Sequence, residues 1–219
     1  MKRIIALLIT ATLSHADQTA IPDYDTARDA WFWGKLYIHG GVSLYCGTVF
    51  TETGHYINHK NKKKKMTLEH TYPADWIATY HGCDNRNTCD IPAYKHAEAD
   101  LHNLWPAQGG VNSSRSDHMF GEIPDDTSEN RYATKGCDDF ERLYGVPDEK
   151  VRVEPRDSVK GSIARSLFYM HDEYGLPLHG MREMLEEWHE EYPVSFEEVW
   201  RNKRINELQG TSNKWISER

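Results

Sequence analysis

The sequence predicts an α+β fold, a single domain mixing helices with short strands. Three observations carry this. The C-terminal third holds three apolar stripes at helical spacing, and the middle holds only short extended runs between turn signals. A chain of 219 residues is also long enough for one domain with a sizeable core.

The N-terminus stands apart from that domain. Lys2-Arg3 precede a short apolar run at 4–13, and Ser14-His15-Ala16 forms a small-residue cleavage site. This is the pattern of a secretory signal over residues 1–16, too short to cross a bilayer. Residues 17–219 are then the mature domain, soluble and exported to a periplasm or to the medium.

Residues 24–37 read as the first helix, because Ala27, Ala30, Trp31 and Leu36 recur near helical spacing and Gly40-Gly41 stop it. Residues 44–50 look extended. A lysine-tipped turn and then a strand reaching His70 are expected within 54–74, and Pro73 steers Tyr72 away from helix. Residues 81–95 should be irregular around a small cysteine loop. A short strand at 100–106 leads to a helix at 111–120 carrying Asn112, Arg115 and His118. Residues 122–137 are polar with turn signals, and 151–153 is a short strand. Helix 158–174 has Val159, Ile163, Leu167 and Met170 on one face and Gly175 at its stop. Met181, Met184, Leu185 and Trp188 mark a second helix. Ser195-Phe196-Glu197-Glu198 is a capping-box pattern opening a last helix to about Leu208. These three stripes are core and carry no chemistry.

Four cysteines, Cys46, Cys83, Cys89 and Cys137, belong to an exported chain, which favours disulfides. Cys83 and Cys89 close a short loop and are paired, leaving Cys46 for Cys137. The spacing lacks the close pairs of zinc knuckles and ribbons.

The net charge is −8 and becomes −10 once Lys2 and Arg3 are removed, an acidic balance unlike that of most nucleic-acid binders. Local fields decide steering, however. Lys60, Lys62, Lys63, Lys64 and Lys65 make a basic stretch, while acidic residues gather at 183–191 and 138–141. The surface is read as polarised; the plain alternative for the lysines is a solvated hairpin tip.

Chemistry concentrates just after those lysines, at Glu69-His70. Glu69 offers a carboxylate and Asn112 an amide oxygen, hard ligands suited to Mg²⁺ or Ca²⁺. Mg²⁺ keeps waters and takes substrate phosphate oxygens, so two protein ligands suffice. His70, with an ordinary pKa near ~6.5, is available as a general base. The combination suits metal-assisted hydrolysis of a phosphodiester. Adjacent residues on a strand point to opposite faces. Glu69 and His70 therefore share a site only if the backbone bends there or the strand ends at His70. Each residue also has a plain structural alternative: His102 and Asn103 as satisfied buried polar groups, Asn112 as a helix cap, Arg115 and Arg165 as helix-surface residues.

In combination these runs resemble the endonuclease I family of exported, sugar-nonspecific bacterial nucleases. The matching runs are Tyr45-Cys46-Gly47, Glu69-His70 with Pro73-Ala74, Arg86 ahead of Cys89, and Glu98-Ala99-Asp100-Leu101-His102-Asn103-Leu104. They continue through Pro106-Ala107, Val111-Asn112, Arg115-Ser116, Gly161-Ser162-Ile163-Ala164-Arg165, Tyr192-Pro193-Val194 and Gln209-Gly210. Leu68 and Thr71-Tyr72 stand where the family often has Trp and Val-Val.

The resemblance implies a two-lobed fold with a ββα-metal motif. It implies His70 as base, Glu69 and Asn112 as metal ligands, and Arg86 on the scissile phosphate. It also implies a divalent metal, usually Mg²⁺, with Ca²⁺ or Mn²⁺ able to occupy the same site. The expected substrates are DNA and RNA, cut without sequence specificity to 5′-phosphate products. Phosphate contacts are expected from Lys62, Lys63, Lys64, Lys65, Arg115 and Arg165. No membrane partner is expected, and a monomer suits a cleft nuclease. Two rivals are a zinc hydrolase using His70, His102 and a carboxylate, and a secreted, disulfide-stapled binding protein with a degenerate site.

Overall fold

The computed structural model describes residues 18–124, 131–134, 137–143 and 151–217; the expected signal at 1–16 lies outside them. A short helix α1 (Tyr24–Thr26) is capped by Asp23 and runs on as a π-wound segment, Ala27–Leu36, so the first helix is present where expected. Next come two hairpins. Strands β1 (Gly41–Val42) and β2 (Val49–Phe50) pair antiparallel, as do β3 (His55–Ile57) and β4 (Lys63–Lys65). The first hairpin corrects the extended reading of 44–50. Gly47 N donates to Ser43 O and Ser43 N to Thr48 O, turning the chain back. The second hairpin places Lys63, Lys64 and Lys65 on a strand rather than in the turn. The turn is built by Asn58, whose side chain accepts from the backbone of Lys60 and Lys62.

Strand β5 (Thr67–His70) pairs antiparallel with β6 (Leu104–Ala107), with Glu69 opposite Trp105 and His70 opposite Leu104. Between them lie α2 (Ala74–Tyr80), a 3₁₀ turn at Arg86–Thr88, and α3 (Pro92–Glu98). Helix α3 corrects the irregular reading of 81–95. Pro92 sits in its first turn, where a missing N–H and a fixed φ favour a start rather than a break. Helix α4 (Gly109–Arg115) follows β6 and stops where Ser116 adopts φ 51°, so it ends before His118. Strand β7 (Met119–Phe120) then joins β8 (Arg131–Thr134), β9 (Cys137–Leu143) and β10 (Arg152–Glu154) in one sheet of order β7-β10-β9-β8.

Helices α5 (Asp157–Tyr174), α6 (Arg182–Glu191) and α7 (Phe196–Gln209) match the three apolar stripes, and a short α8 (Lys214–Ser217) closes the described chain. Helix α5 is buried on all sides through its middle, not on one face. Gly161 permits this: a Cβ there would lie 2.3 Å from Tyr192 O. The capping box of α7 is formed, with Ser195 and Glu198 each accepting from the other's backbone.

Two apolar cores flank the antiparallel β5–β6 pair. The larger takes Trp105, Ala107 and Val111 with Tyr45, Phe120, Phe140 and α5; the smaller takes Leu68 and Leu104 with Phe32, Leu36 and Leu101. The pair is thus a common wall between two lobes, and with α4 behind it forms a ββα unit.

Candidate active site

Glu69 and His70 lie on opposite faces of β5, as strand geometry requires. Both are buried. The strand ends at His70, while the two side chains stay on its opposite sides. Asn103 makes that end: its Oδ1 accepts from Thr71 Oγ1 (2.9 Å) and Tyr72 N (2.7 Å), and its Nδ2 donates to Tyr72 O (3.0 Å).

On one side, Glu69 Oε1 accepts from Tyr45 OH at 2.7 Å and lies 3.3 Å from Arg115 Nε. Burial, opposed by Arg115 and by the Tyr45 hydrogen bond, raises the Glu69 carboxyl to about 7. Asn112 is in the first turns of α4 and is not its cap, which is Gln108. Its Nδ2 donates to Leu68 O (2.8 Å) and Thr67 Oγ1 (3.2 Å), both on β5. That turns the amide oxygen the other way.

On the other side, the His70 ring lies 5.1 Å from that of Tyr24, and Nε2 donates to Glu98 O at 3.1 Å. A carbonyl can only accept, so Nε2 carries the proton and Nδ1 is the basic nitrogen. Burial, with the charge of Arg86, lowers His70 to about 3, which keeps the ring neutral. The Glu98 carboxylate lies 3.7 Å from Arg86 Nη2, so one residue serves both the imidazole and the arginine. Arg86 keeps about a third of its side chain exposed. The charge of Arg115 reaches His70 as well as Glu69, linking the two halves.

The donor set fits a hard divalent cation. Glu69 Oε2 and Asn112 Oδ1 make no hydrogen bond to a described residue, and both are oxygens. Among the described residues no three His, Cys, Asp or Glu side chains gather as a metal cluster. The cysteines form Cys46–Cys137 and Cys83–Cys89. His102 is buried against Tyr169 with Nε2 on Thr211 O at 3.2 Å. The zinc arrangement is therefore absent from the described residues.

Two expected phosphate contacts are corrected. Arg115 and Arg165 are each 1% exposed. Arg115 Nη2 donates to Thr71 O at 2.6 Å, so its fork braces the turn after His70. Arg165 forms a two-pronged pair with Glu198 at 2.6 and 2.9 Å and donates to Tyr192 O. Neither fork is open to a phosphate. Lys62, Lys63, Lys64 and Lys65 are exposed, as a strand-binding face requires. Sequence reasoning missed the roles of Tyr45, Tyr24 and Arg115. Tyr45 was visible only as part of the Tyr45-Cys46-Gly47 run.

A family model described as Endonuclease I matches residues 18–219. An extracellular deoxyribonuclease of Aeromonas hydrophila is 30% identical over 97% of this chain and 94% of its own. A periplasmic deoxyribonuclease of the same organism is 31% identical over 83% of this chain and 81% of its own. An extracellular ribonuclease of Bacillus subtilis is 28% identical over 67% of this chain and 52% of its own.

Proposed function

Because the chain belongs to the endonuclease I family, we propose that it is a metal-dependent endonuclease cutting DNA and RNA to 5′-phosphate products. The coarse reading, an exported nonspecific nuclease, rests on the family and on relatives named for extracellular and periplasmic nucleases. Two disulfides suit export. Residues 1–16 are its signal and 17–219 its nuclease domain. Among the described residues no helix is long and apolar enough to cross a membrane. A monomer suffices for the site described.

The observation that carries the finer reading is the ββα unit, which holds Glu69, His70 and Asn112 on β5 and α4 with their reactive atoms unspent. His70 Nδ1 takes a proton from water, because Nε2 is committed to Glu98 O and burial keeps the ring neutral. Glu98 orients that ring through its backbone and holds Arg86 through its carboxylate. Arg86, partly exposed, meets the charge on the phosphate with its planar fork. Glu69 and Asn112 would hold Mg²⁺, or Ca²⁺ or Mn²⁺ in its place, which when bound supplies charge stabilisation to the phosphate and the departing oxygen. Arg115 and Tyr45 fix Glu69 from behind. Lys62, Lys63, Lys64 and Lys65 take backbone phosphates without reading bases, so sequence specificity is low.

The test is plasmid cleavage by oxidised protein, in EDTA and after Mg²⁺ is restored, beside His70→Ala. Cutting that requires both Mg²⁺ and His70 is the expected result. Undiminished cutting by His70→Ala would remove the base assignment, and no cutting under any metal would leave a binding protein with a degenerate site.

A further inference from the structure

A groove of about 620 Å³ lies between the β3–β4 hairpin and the first turn of α4. Tyr56, His59, Lys64, Lys65, Gly109 and Gly110 line it. Gln108 sets its floor, accepting from Ser43 Oγ and donating to Thr48 Oγ1 at 2.6 Å. Gly109 stands three residues before Asn112, so the groove wall and the proposed ligand share one face of α4. The groove therefore lies alongside the proposed metal ligand, on the α4 side of the site.

Two independent features say what it takes. Lys64 and Lys65 are exposed and form no salt bridge with a described residue, so their charge is available to an anion. Gly109 and Gly110 open a helix, although only proline is a poorer helix former. Neither has a positive φ. A Cβ on Gly110 would meet nothing within 4 Å, and one on Gly109 only Thr67 Cγ2 at 3.5 Å. The fold itself thus has no need of glycine at either place. Bare backbone on a groove wall serves close approach of another backbone.

We propose that this groove is a nucleotide subsite: it seats the strand flanking the cut, with phosphates against Lys64 and Lys65 and the sugar–phosphate chain passing over Gly109 and Gly110. The proposal rests on the nuclease reading. Its volume is that of a small-molecule site, enough for a short stretch of strand but not for a duplex.

The experiment measures anisotropy of a fluorescein-labelled oligothymidylate of about twelve nucleotides in EDTA, where no cutting occurs. Gly110→Leu, which projects a side chain into the groove, should weaken binding about ten-fold, a change of about 1.4 kcal/mol. Its melting temperature should match or exceed wild type, since leucine favours helix. Ser113→Ala, on the same helix outside the groove, should bind as wild type does. Gly110→Leu binding within two-fold of wild type overturns the proposal, as does wild-type protein that cuts DNA in Mg²⁺ yet does not bind the probe. Should Gly110→Leu fail to fold, Lys64→Gln with Lys65→Gln decides alone. The slope of log affinity against log salt should shrink by about 1.4, at about 0.7 per lost phosphate contact. An unchanged slope overturns the proposal. Wild-type protein that cuts no nucleic acid in Mg²⁺ is a separate result, and sinks the nuclease reading itself.

Discussion

Removing the Cys46–Cys137 bridge should cost more than removing Cys83–Cys89, and the difference can be worked out. The first bond joins positions 91 apart and the second positions 6 apart. Chain entropy of the unfolded state assigns the long loop about 4.6 kcal/mol and the short one about 2.4, so the gap is about 2 kcal/mol. A loss of about 4–5 kcal/mol is a large part of a typical domain's stability. Tyr45 precedes Cys46 and donates to Glu69, so the same bridge also tethers the residue behind the proposed metal ligand. The assay is urea unfolding of Cys46→Ala with Cys137→Ala beside Cys83→Ala with Cys89→Ala, followed by DNA cleavage at matched folded fractions. The long-loop variant should show the larger drop in midpoint and a rate per folded molecule below wild type. Equal midpoints for the two variants would refute the entropic reasoning, and full specific activity without the long bridge would refute the tether.

Three other outcomes are expected. Arg165→Ala leaves Glu198 buried without its partner, so calorimetry should show a loss of about 3–5 kcal/mol, while the salt slope of DNA binding by the folded fraction stays unchanged. Tyr45→Phe removes the hydrogen bond behind Glu69, and a Mg²⁺ titration of cleavage should show apparent affinity lowered about 10–100-fold. Burial lowers His102 to about 4, against about 6.5 when unfolded. The unfolded chain therefore binds the extra proton between those values. Stability from this residue is complete above about 6.5 and declines as pH falls toward 4, by on the order of 3 kcal/mol; denaturant midpoints for His102→Gln should show a shallower fall over that window.

What could be read from the sequence was local. The helices at 157–174 and 196–209 announced themselves by apolar spacing, a capping box and a terminal glycine. Pro73 marked the end of β5, and the ladder confirms a strand through His70. What could not be read depended on partners far along the chain. A helical arginine is normally a surface residue, and nothing near Arg165 reveals that Glu198 will meet it inside the protein. Arg115 is hidden for the same reason, its partners being Glu69 and Thr71. The β1–β2 hairpin escaped because its strands are two residues each, too short to show alternation. Glu98 looked like one member of a motif, whereas its carbonyl and its carboxylate hold different groups.

The wall shared by the two cores bears on how substrates are told apart. An enzyme with a hinge between lobes adapts its cleft to what it binds. Here β6 sends Trp105 and Ala107 into one core and Leu104 into the other, where Leu68 of β5 joins it, so the lobes cannot part without tearing β6 from its packing. On the proposed mechanism, adaptation then falls to the nucleic acid, which must bend or open to reach His70 and Arg86. Cutting frequencies along a long duplex should follow mechanical softness: pyrimidine–purine steps favoured and stiff A-tracts spared, whichever bases they contain.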